Sequence, residues 1–158
     1  AAGQYPVETV EAMASICLEA ERAEEVTIDA DFANKRFGRI DQSIAMGALF
    51  TAYHLGCKAI LALTESGSTA LWMSRYRSHT PIFGLTSQPV TQRRMALYRN
   101  VQPLLMPNFG DRDQALAAAE KILVDRGVLK PGDTYAITCG EPMGYPGGTN
   151  MLKVCRVG

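Results

Sequence analysis

Short runs of consecutive apolar residues alternate along the chain with longer segments in which apolar residues recur about every three or four positions. The uninterrupted runs predict strands buried on both faces, and the wider spacing predicts amphipathic helices. Strands are predicted at 58–63, 81–87, 101–107, 133–140 and 151–157. Helices are predicted between the first four of these strands, at 68–77, 90–100 and 113–127. Because strands alternate with helices, the pattern favours an α/β three-layer sandwich: a mostly parallel five-stranded sheet with helices on both faces.

The last predicted strand differs from the others in how it is connected. Only the loop GEPMGYPGGTN separates it from the preceding strand, which is too short for a helical crossover. The strand at 151–157 should therefore run antiparallel, at or near an edge of the sheet. Lys153 and Arg156 should lie on opposite faces of this strand. Charged residues on both faces are typical of an incompletely covered edge strand, with which a partner can pair.

Two more helices precede the sheet. The first is predicted to open at Tyr5-Pro6, to run to about Val26 and to carry an apolar stripe. Residues 27–39 are interpreted as a connector. Asp41 resembles the N-cap of a second helix, which Gly56 ends. Because it lies before the connector, the first helix is expected to belong to a neighbouring unit. Its stripe consists of Val7, Val10, Ala14, Cys17 and Leu18.

Composition and charge exclude several classes of function. The 158 residues suit one domain, and 16 basic residues balance 16 acidic ones, so no nucleic-acid or membrane partner is expected. No apolar stretch approaches the roughly 20 residues that span a bilayer, and the first residues do not resemble a signal peptide. The four cysteines lack metal-ligand spacing. Cys57 and Cys139 are predicted to be buried, reduced thiols without a zinc or disulfide role, as is typical of a cytoplasmic protein.

Candidate chemistry is concentrated where the first strand ends. In open α/β sheets, ligands bind beyond the carboxyl ends of the strands. Residues 64–69, here named the cup, place hydroxyl groups around Gly67 at a helix start, which favours an oxyanion such as a phosphate. The alternative that these residues only cap the helix stays open. Within the cup, Glu65 is expected to point outward, since a carboxylate is badly placed beside a phosphate.

Three further segments, 86–89, 107–111 and 140–149, should reach the same edge of the sheet. Residues 140–149, here named the flap, are rich in glycine. Hydroxyl groups and amides near these segments are candidate ligand contacts, and two arginines follow one helical turn later. These residues are Thr86, Ser87, Thr91, Thr149 and Asn150, with Arg93 and Arg94.

Several catalytic and cofactor signatures are missing. The chain has no GxxxxGK[ST] motif, and its loosely similar GEPMGYPGG does not open a helix, so neither a P-loop nor a dinucleotide site is expected. His54 and His79 have no partner at a catalytic spacing, and no acidic cluster suggests Mg²⁺. Trp72 is predicted to pack, and the arginines are predicted to be mainly solvated surface. Those arginines are Arg75, Arg77, Arg93, Arg94 and Arg99. A phosphate cup without a reacting group suits a regulatory site.

The chain resembles pyruvate kinase, over essentially all of its 158 residues and in order. The segments that carry the resemblance are AAGQYPVETVEAM, LTESGSTA, LYRNVQPLL and GGTNMLKV. The amino-acid sequences of these segments are most similar to the bacterial type II form, which AMP and sugar phosphates activate. The resemblance implies a sheet of order 3-2-1-4-5 with an antiparallel last strand. It also implies that residues 1–26 are the final helix of the catalytic barrel plus a linker, and that 27–158 are the C-terminal effector and assembly domain.

In the family, the barrel holds phosphoenolpyruvate, ADP, Mg²⁺ and K⁺. None of those motifs is found here, so the chain resembles an isolated C-terminal piece that needs no cofactor and should not transfer phosphate alone. The resemblance also implies an effector site. Its residues would be Thr64, Glu65, Ser66, Gly67, Ser68 and Thr69 of the cup, with Gly140, Pro146, Gly147, Gly148 and Thr149 of the flap.

Two departures from the family pattern bear on the effector. Ser68 stands where many members have arginine, and residues 107–115 lack a counterpart of the tryptophan and arginine that hold a second phosphate. A monophosphate such as AMP or a sugar phosphate therefore fits better than a bisphosphate.

The resemblance further implies a homotetramer, formed through the helix at 40–55 and pairing of the strand at 151–157. Two alternatives stay open: an assembly module that binds no ligand, and a small α/β enzyme acting on a phosphorylated sugar.

Overall fold

The computed structural model describes residues 3–23 and 36–158. The helices in these ranges are α1 (Pro6–Ala23), α2 (Ile40–His54), α3 (Ser68–Ser74), α4 (Pro89–Met95) and α5 (Arg112–Asp125). The strands are β1 (Ile60–Leu63), β2 (Ile82–Thr86), β3 (Val101–Leu105), β4 (Thr134–Gly140) and β5 (Thr149–Arg156). The predicted alternation of strands and helices after residue 57 is confirmed, although most of these elements are a few residues shorter than predicted.

The strands form one sheet of order β3-β2-β1-β4-β5, as expected. Neighbouring strands are parallel except for β4 and β5, which pair antiparallel from Thr134↔Arg156 to Gly140↔Thr149. The register of that pair shifts between Cys139 and Gly140, where the chain leaves the sheet for the flap. The prediction of an antiparallel edge strand, made from the length of the loop before it, is therefore confirmed.

Two apolar layers cover the sheet, and β1 contributes to both. Leu61 and Leu63 pack into the layer that contains α5, whereas Ile60 and Ala62 pack into the layer that contains α2, α3 and α4. Every residue of β1 is buried. Two-sided burial explains why its sequence is continuously apolar instead of alternating.

Helix α1 differs from the helices that cover the sheet. It begins at Pro6 as predicted, but every side chain described from Gly3 to Arg22 is exposed, the apolar stripe included. The predicted end near Val26 and residues 27–35 of the predicted connector lie outside the described residues. Among the helices of the described ranges, none is long and apolar enough to cross a membrane.

The start of α2 corrects one prediction. Asp41 is not the N-cap: that position is Arg39, in extended backbone conformation, and no side chain caps the helix. Asp41 lies inside the first turn, where its carboxylate accepts hydrogen bonds from Arg39 and from the Gln42 backbone N–H instead. At the other end Gly56 has φ +61°, and the helix ends just before it, as predicted.

Candidate functional site

A small pocket of about 40 Å³, partly open to solvent, lies at the carboxyl edge of β1, β2, β3 and β4, and is named here the edge pocket. All four segments predicted to reach this edge contribute to it. The lining residues include Thr64 and Glu65, Thr86 and Ser87, Pro107 to Phe109, and, from the flap, Gly140, Met143, Gly144, Tyr145, Gly147 and Thr149. The parallel strands bring these segments together, because their carboxyl ends share one edge.

Two threonine hydroxyl groups hold the backbone of the cup, one from the cup itself and one from α4. The Gly67 N–H donates to Thr64 Oγ1 at 3.0 Å, and Thr91 Oγ1 donates to the Glu65 carbonyl at 2.8 Å. Gly67 has φ +79°, a conformation that side chains with a Cβ rarely adopt. Thr64 and Thr91 therefore shape the cup, and Gly67 allows its turn.

Two serines of the cup have looser partners. Ser66 Oγ donates to Ser68 Oγ at 3.2 Å, and Ser68 Oγ donates to Asp41 Oδ2 at 3.4 Å. Both distances are long for hydrogen bonds between oxygens, and both serines are half-buried. Because a hydroxyl rotates at little cost, Ser66 and Ser68 are the cup residues best able to turn toward an anion.

The cup and the flap are joined by one buried contact. Thr69 Oγ1 and Thr149 Oγ1 share a hydrogen bond of 2.7 Å, although the two residues are far apart in sequence. Thr69 is fully buried and Thr149 almost so. The two segments predicted to form an effector site thus meet beside the edge pocket.

The flap closes back on its own base. A Cβ at Gly140 would lie 2.8 Å from the Gly148 carbonyl oxygen, so only glycine allows this approach. Asn150 braces the same place, since its side chain accepts from the Glu141 N–H at 2.9 Å and donates to the Glu141 carbonyl at 2.7 Å. Arg112 Nη1 donates to Glu141 Oε2 at 2.6 Å and ties the base of the flap to α5.

An ion pair between Arg39, whose side chain is 56% exposed, and the buried Asp41 lies next to the cup. Arg39 donates to both oxygens of Asp41, with Nε to Oδ1 at 2.9 Å and Nη2 to Oδ2 at 2.8 Å. The Asp41 side chain is only 2% exposed. The hydrogen bonds from Arg39 lower the pKa of the Asp41 carboxyl below its ordinary value, although burial opposes them, and the same pair raises the pKa of Arg39. A bidentate geometry of this kind is typical of strong charge-assisted hydrogen bonds.

The structure corrects the prediction for Glu65. This residue lines the edge pocket instead of pointing away from it, and its Oε2 lies 3.5 Å from Ser87 Oγ and 3.4 Å from Gln88 Nε2. The cup lies beside the segment that follows β2, since Thr91 of α4 donates to the Glu65 carbonyl. Among the described residues that line this pocket none is a lysine or arginine, and Arg93 and Arg94 are exposed on α4.

The predicted effector residues fall into two sets. Thr64, Glu65, Gly140, Gly147 and Thr149 line the edge pocket. The others lie in the adjoining walls, with Ser66, Gly67, Ser68 and Thr69 in the cup and Pro146 and Gly148 in the flap turn. Sequence reasoning did not single out Phe109 and Tyr145 of the pocket, or the role of Arg39 and Asp41. The sequence signal for Phe109 and Tyr145 is an aromatic residue in a loop that follows a strand. The signal for the ion pair is an arginine two positions before an aspartate at the start of a helix.

The remaining candidates lie away from this site. His54 and His79 are exposed, and the His54 ring contacts Phe50 with centroids 4.3 Å apart. Trp72 packs against the α2–α4 layer as predicted.

Cys57 and Cys139 are buried as predicted, and burial raises the pKa of both thiols. The five arginines predicted to lie on the surface are exposed. Within residues 3–23 and 36–158, no three His, Cys, Asp or Glu side chains are grouped as a metal site would require.

The fold and the edge pocket together define an α/β domain with a pocket at the carboxyl edge of a mixed five-stranded sheet. Residues 42–155 match the family model of the pyruvate kinase alpha/beta domain, so the chain belongs to that family. Similar proteins include Pyruvate kinase II of Salmonella typhimurium, 40% identical over 99% of this chain and 33% of that protein. Pyruvate kinases of Buchnera aphidicola subsp. Baizongia pistaciae and Staphylococcus epidermidis are 38% and 37% identical, over 99% and 100% of this chain. The chain spans 33% and 27% of those two relatives.

Proposed function

We propose that this chain is the effector-binding and assembly domain of a pyruvate kinase, and that its cup and flap hold a phosphate monoester. The observation that carries the proposal is the buried hydrogen bond between Thr69 and Thr149, which joins the cup to the flap beside the edge pocket. Ser66 and Ser68 would donate to the phosphate. Phe109 and Tyr145 would contact the rest of the ligand, because both border the pocket next to the cup.

The activity of the whole protein is part of the same proposal. Relatives named pyruvate kinase are about three times as long as this chain. A catalytic barrel with sites for phosphoenolpyruvate, ADP, Mg²⁺ and K⁺ would lie in the portion that this chain does not span. Helix α1, whose apolar stripe is exposed, would be the last helix of that barrel. The chain alone is expected not to transfer phosphate to ADP.

The charges around the edge pocket favour a monophosphate over a bisphosphate. Glu65 is the one carboxylate among the described lining residues, and no lysine or arginine accompanies it there. A second phosphate in the pocket would add negative charge to a lining that already has this carboxylate and no compensating cation, and like charges in a partly buried site repel strongly. We therefore expect AMP or a sugar monophosphate to bind more tightly than fructose 1,6-bisphosphate.

Thermal unfolding with and without each ligand tests the effector site. The ligands are AMP, ribose 5-phosphate, glucose 6-phosphate and fructose 1,6-bisphosphate. At about 100 times its Kd, a ligand adds about 2.7 kcal/mol to the free energy of unfolding, which raises Tm by roughly 5–10 °C. Ser66→Asp should abolish the shift, because it places a negative charge in the cup. Thr9→Asp, which adds the same charge on exposed α1, should not.

A second candidate function is assembly without a ligand, and the exposed edge of β5 favours it. Val154 is 41% exposed on this strand, and α2 presents Ile40, Phe50 and Tyr53 to solvent. If copies of the chain pair through β5, Val154→Lys should weaken self-association in sedimentation. The control is Val90→Lys on α4, which is already 64% exposed. Loss of self-association together with no thermal shift by any monophosphate would favour the assembly module over the effector domain.

A further inference from the structure

Asp41 connects three parts of the molecule around the cup. Its carboxylate accepts two hydrogen bonds from Arg39 just before α2, one from the Gln42 backbone N–H and a fourth from Ser68 of the cup. The Arg39 guanidinium also lies against the flap, since a Cβ placed on Gly147 would be 3.2 Å from Arg39 Nη2. Hydrogen bonds therefore run from the cup through Asp41 to Arg39, and the Arg39 guanidinium lies beside the flap at Gly147.

The charge of Asp41 matters because of where it is. A phosphate that accepts a hydrogen bond from Ser68 would lie in the neighbourhood of the Asp41 carboxylate, which is within 3.4 Å of the same hydroxyl. Two anions at such short range repel each other, and burial of Asp41 increases the repulsion. The bidentate pair with Arg39 cancels this negative charge before a ligand arrives.

The flap has a second arginine contact of a different kind. Arg112 reaches Glu141 at the base of the flap, but the Glu141 and Asp113 side chains that it pairs with are 52% and 72% exposed. Exposed pairs of this kind contribute little, because water and salt screen them. The Arg39 pair differs in that its carboxylate is buried and hydrogen-bonded to the cup, although Arg39 itself is 56% exposed beside the flap.

We propose that Arg39 is a positioning residue: held by Asp41, it neutralises the carboxylate beside the cup and supports the flap at Gly147. A phosphate in the cup and a closed flap would then stabilise each other through the same ion pair. This inference rests on the proposed phosphate cup and adds a residue outside the predicted effector set. It also provides a positive charge near a cup that has none of its own.

Hydrogen exchange of the unliganded chain tests the contact with the flap directly. The Gly148 N–H donates to the Tyr145 carbonyl at 3.0 Å, so its exchange reports opening of the flap turn. Arg39→Gln should speed exchange at Gly148 by about tenfold, because exchange follows the local opening equilibrium. Lys121→Gln removes the same charge from the exposed Lys121–Asp125 pair on α5 and should leave the rate unchanged. Equal rates in wild type and Arg39→Gln would overturn the proposal.

Calorimetric titration with ribose 5-phosphate tests the charge relation in five proteins: wild type, Arg39→Gln, Arg39→Lys, Asp41→Asn and the double variant Arg39→Gln/Asp41→Asn. Arg39→Gln should weaken binding at least about tenfold, because it leaves Asp41 unneutralised near the phosphate. Adding Asp41→Asn should restore most of that affinity, and Arg39→Lys should retain part of it. Equal weakening in Arg39→Gln and the double variant would overturn the neutralising role.

The two experiments separate this inference from the proposed function. If wild type binds no phosphate monoester, the proposed effector site fails, while the exchange rates still decide whether Arg39 holds the flap. If wild type binds ribose 5-phosphate and Arg39→Gln binds it equally well, the effector site stands and the inference fails. Faster exchange in Arg39→Gln, together with recovery of affinity in the double variant, supports both.

Discussion

Helices α1 and α5 carry apolar repeats of the same kind, but only α5 buries its repeat. Leu116 and Leu123 of α5 pack into the layer on one face of the sheet, whereas Val10 and Leu18 of α1 are more than half exposed. The repeat predicts a helix in both places, because its spacing depends only on the residues of that helix. Burial depends in addition on a matching surface, which the sheet provides for α5. The two helices therefore separate what local sequence determines from what tertiary packing adds.

The largest expected effect comes from truncating a buried residue of α5. Leu123 is fully buried against the sheet. Leu123→Ala should lower the free energy of unfolding by about 2–5 kcal/mol, because the variant loses apolar burial and leaves a cavity. Denaturant unfolding at equilibrium measures the change.

Leu123→Met is the matched control for this prediction. It nearly conserves volume and should cost less than about 1.5 kcal/mol. If alanine and methionine at this position were equally stable, the packing of α5 on the sheet would be contradicted.

The same contrast limits what can be predicted from the sequence. The strands were identifiable because two covered faces require continuous apolar residues, as Ile60 to Leu63 show. The direction of β5 followed from a short loop. The partners of Asp41 did not follow, because its contact with Ser68 depends on how α2 and the cup pack together. For the same reason the direction of Glu65 was wrongly predicted: whether a loop side chain faces a pocket depends on neighbouring loops.

Two carboxylates, Asp41 and Asp113, should differ in their contribution to stability because they differ in burial, as Leu123 of α5 and Leu18 of α1 do. Arginines lower the pKa of both Asp41 and Asp113, but the Asp41 side chain is 2% exposed and that of Asp113 is 72% exposed. Because the pKa of Asp41 is lowered by folding, its ion pair stabilises the protein above the unfolded pKa, about 3.9. That contribution should disappear as pH falls through the lower pKa of the folded state.

Unfolding of wild type and Asp41→Asn across pH checks this expectation. At pH 7 the variant should be less stable by about 2 kcal/mol, since it loses charge-assisted hydrogen bonds. The difference between the two proteins should shrink in acid. Asp113→Asn should change the curve much less, because its pair is exposed. A constant difference between wild type and Asp41→Asn down to pH 2 would contradict the role of the ion pair.

A smaller effect is expected at the start of α5. Asp111 is its N-cap, and its side chain accepts a hydrogen bond from the Gln114 N–H at 2.9 Å. Asp111→Ala should cost about 1 kcal/mol in denaturant unfolding, because that N–H loses its partner. Asp111→Asn keeps an oxygen in place and should cost much less. Equal costs for the two variants would mean that packing on the sheet, and not the cap, sets where α5 begins.

The smallest effect is expected on α1, where Leu18 is 55% exposed. Leu18→Ala should change the free energy of unfolding of this chain by less than about 0.5 kcal/mol, since little burial is lost. In a longer chain that spans the full length of the relatives, α1 is proposed to pack on the preceding unit. There the same substitution should cost about 2 kcal/mol or more, as expected for a buried leucine. An unchanged, small cost in the longer chain would contradict the proposal that α1 belongs to the barrel, because its stripe would then have no partner in either protein.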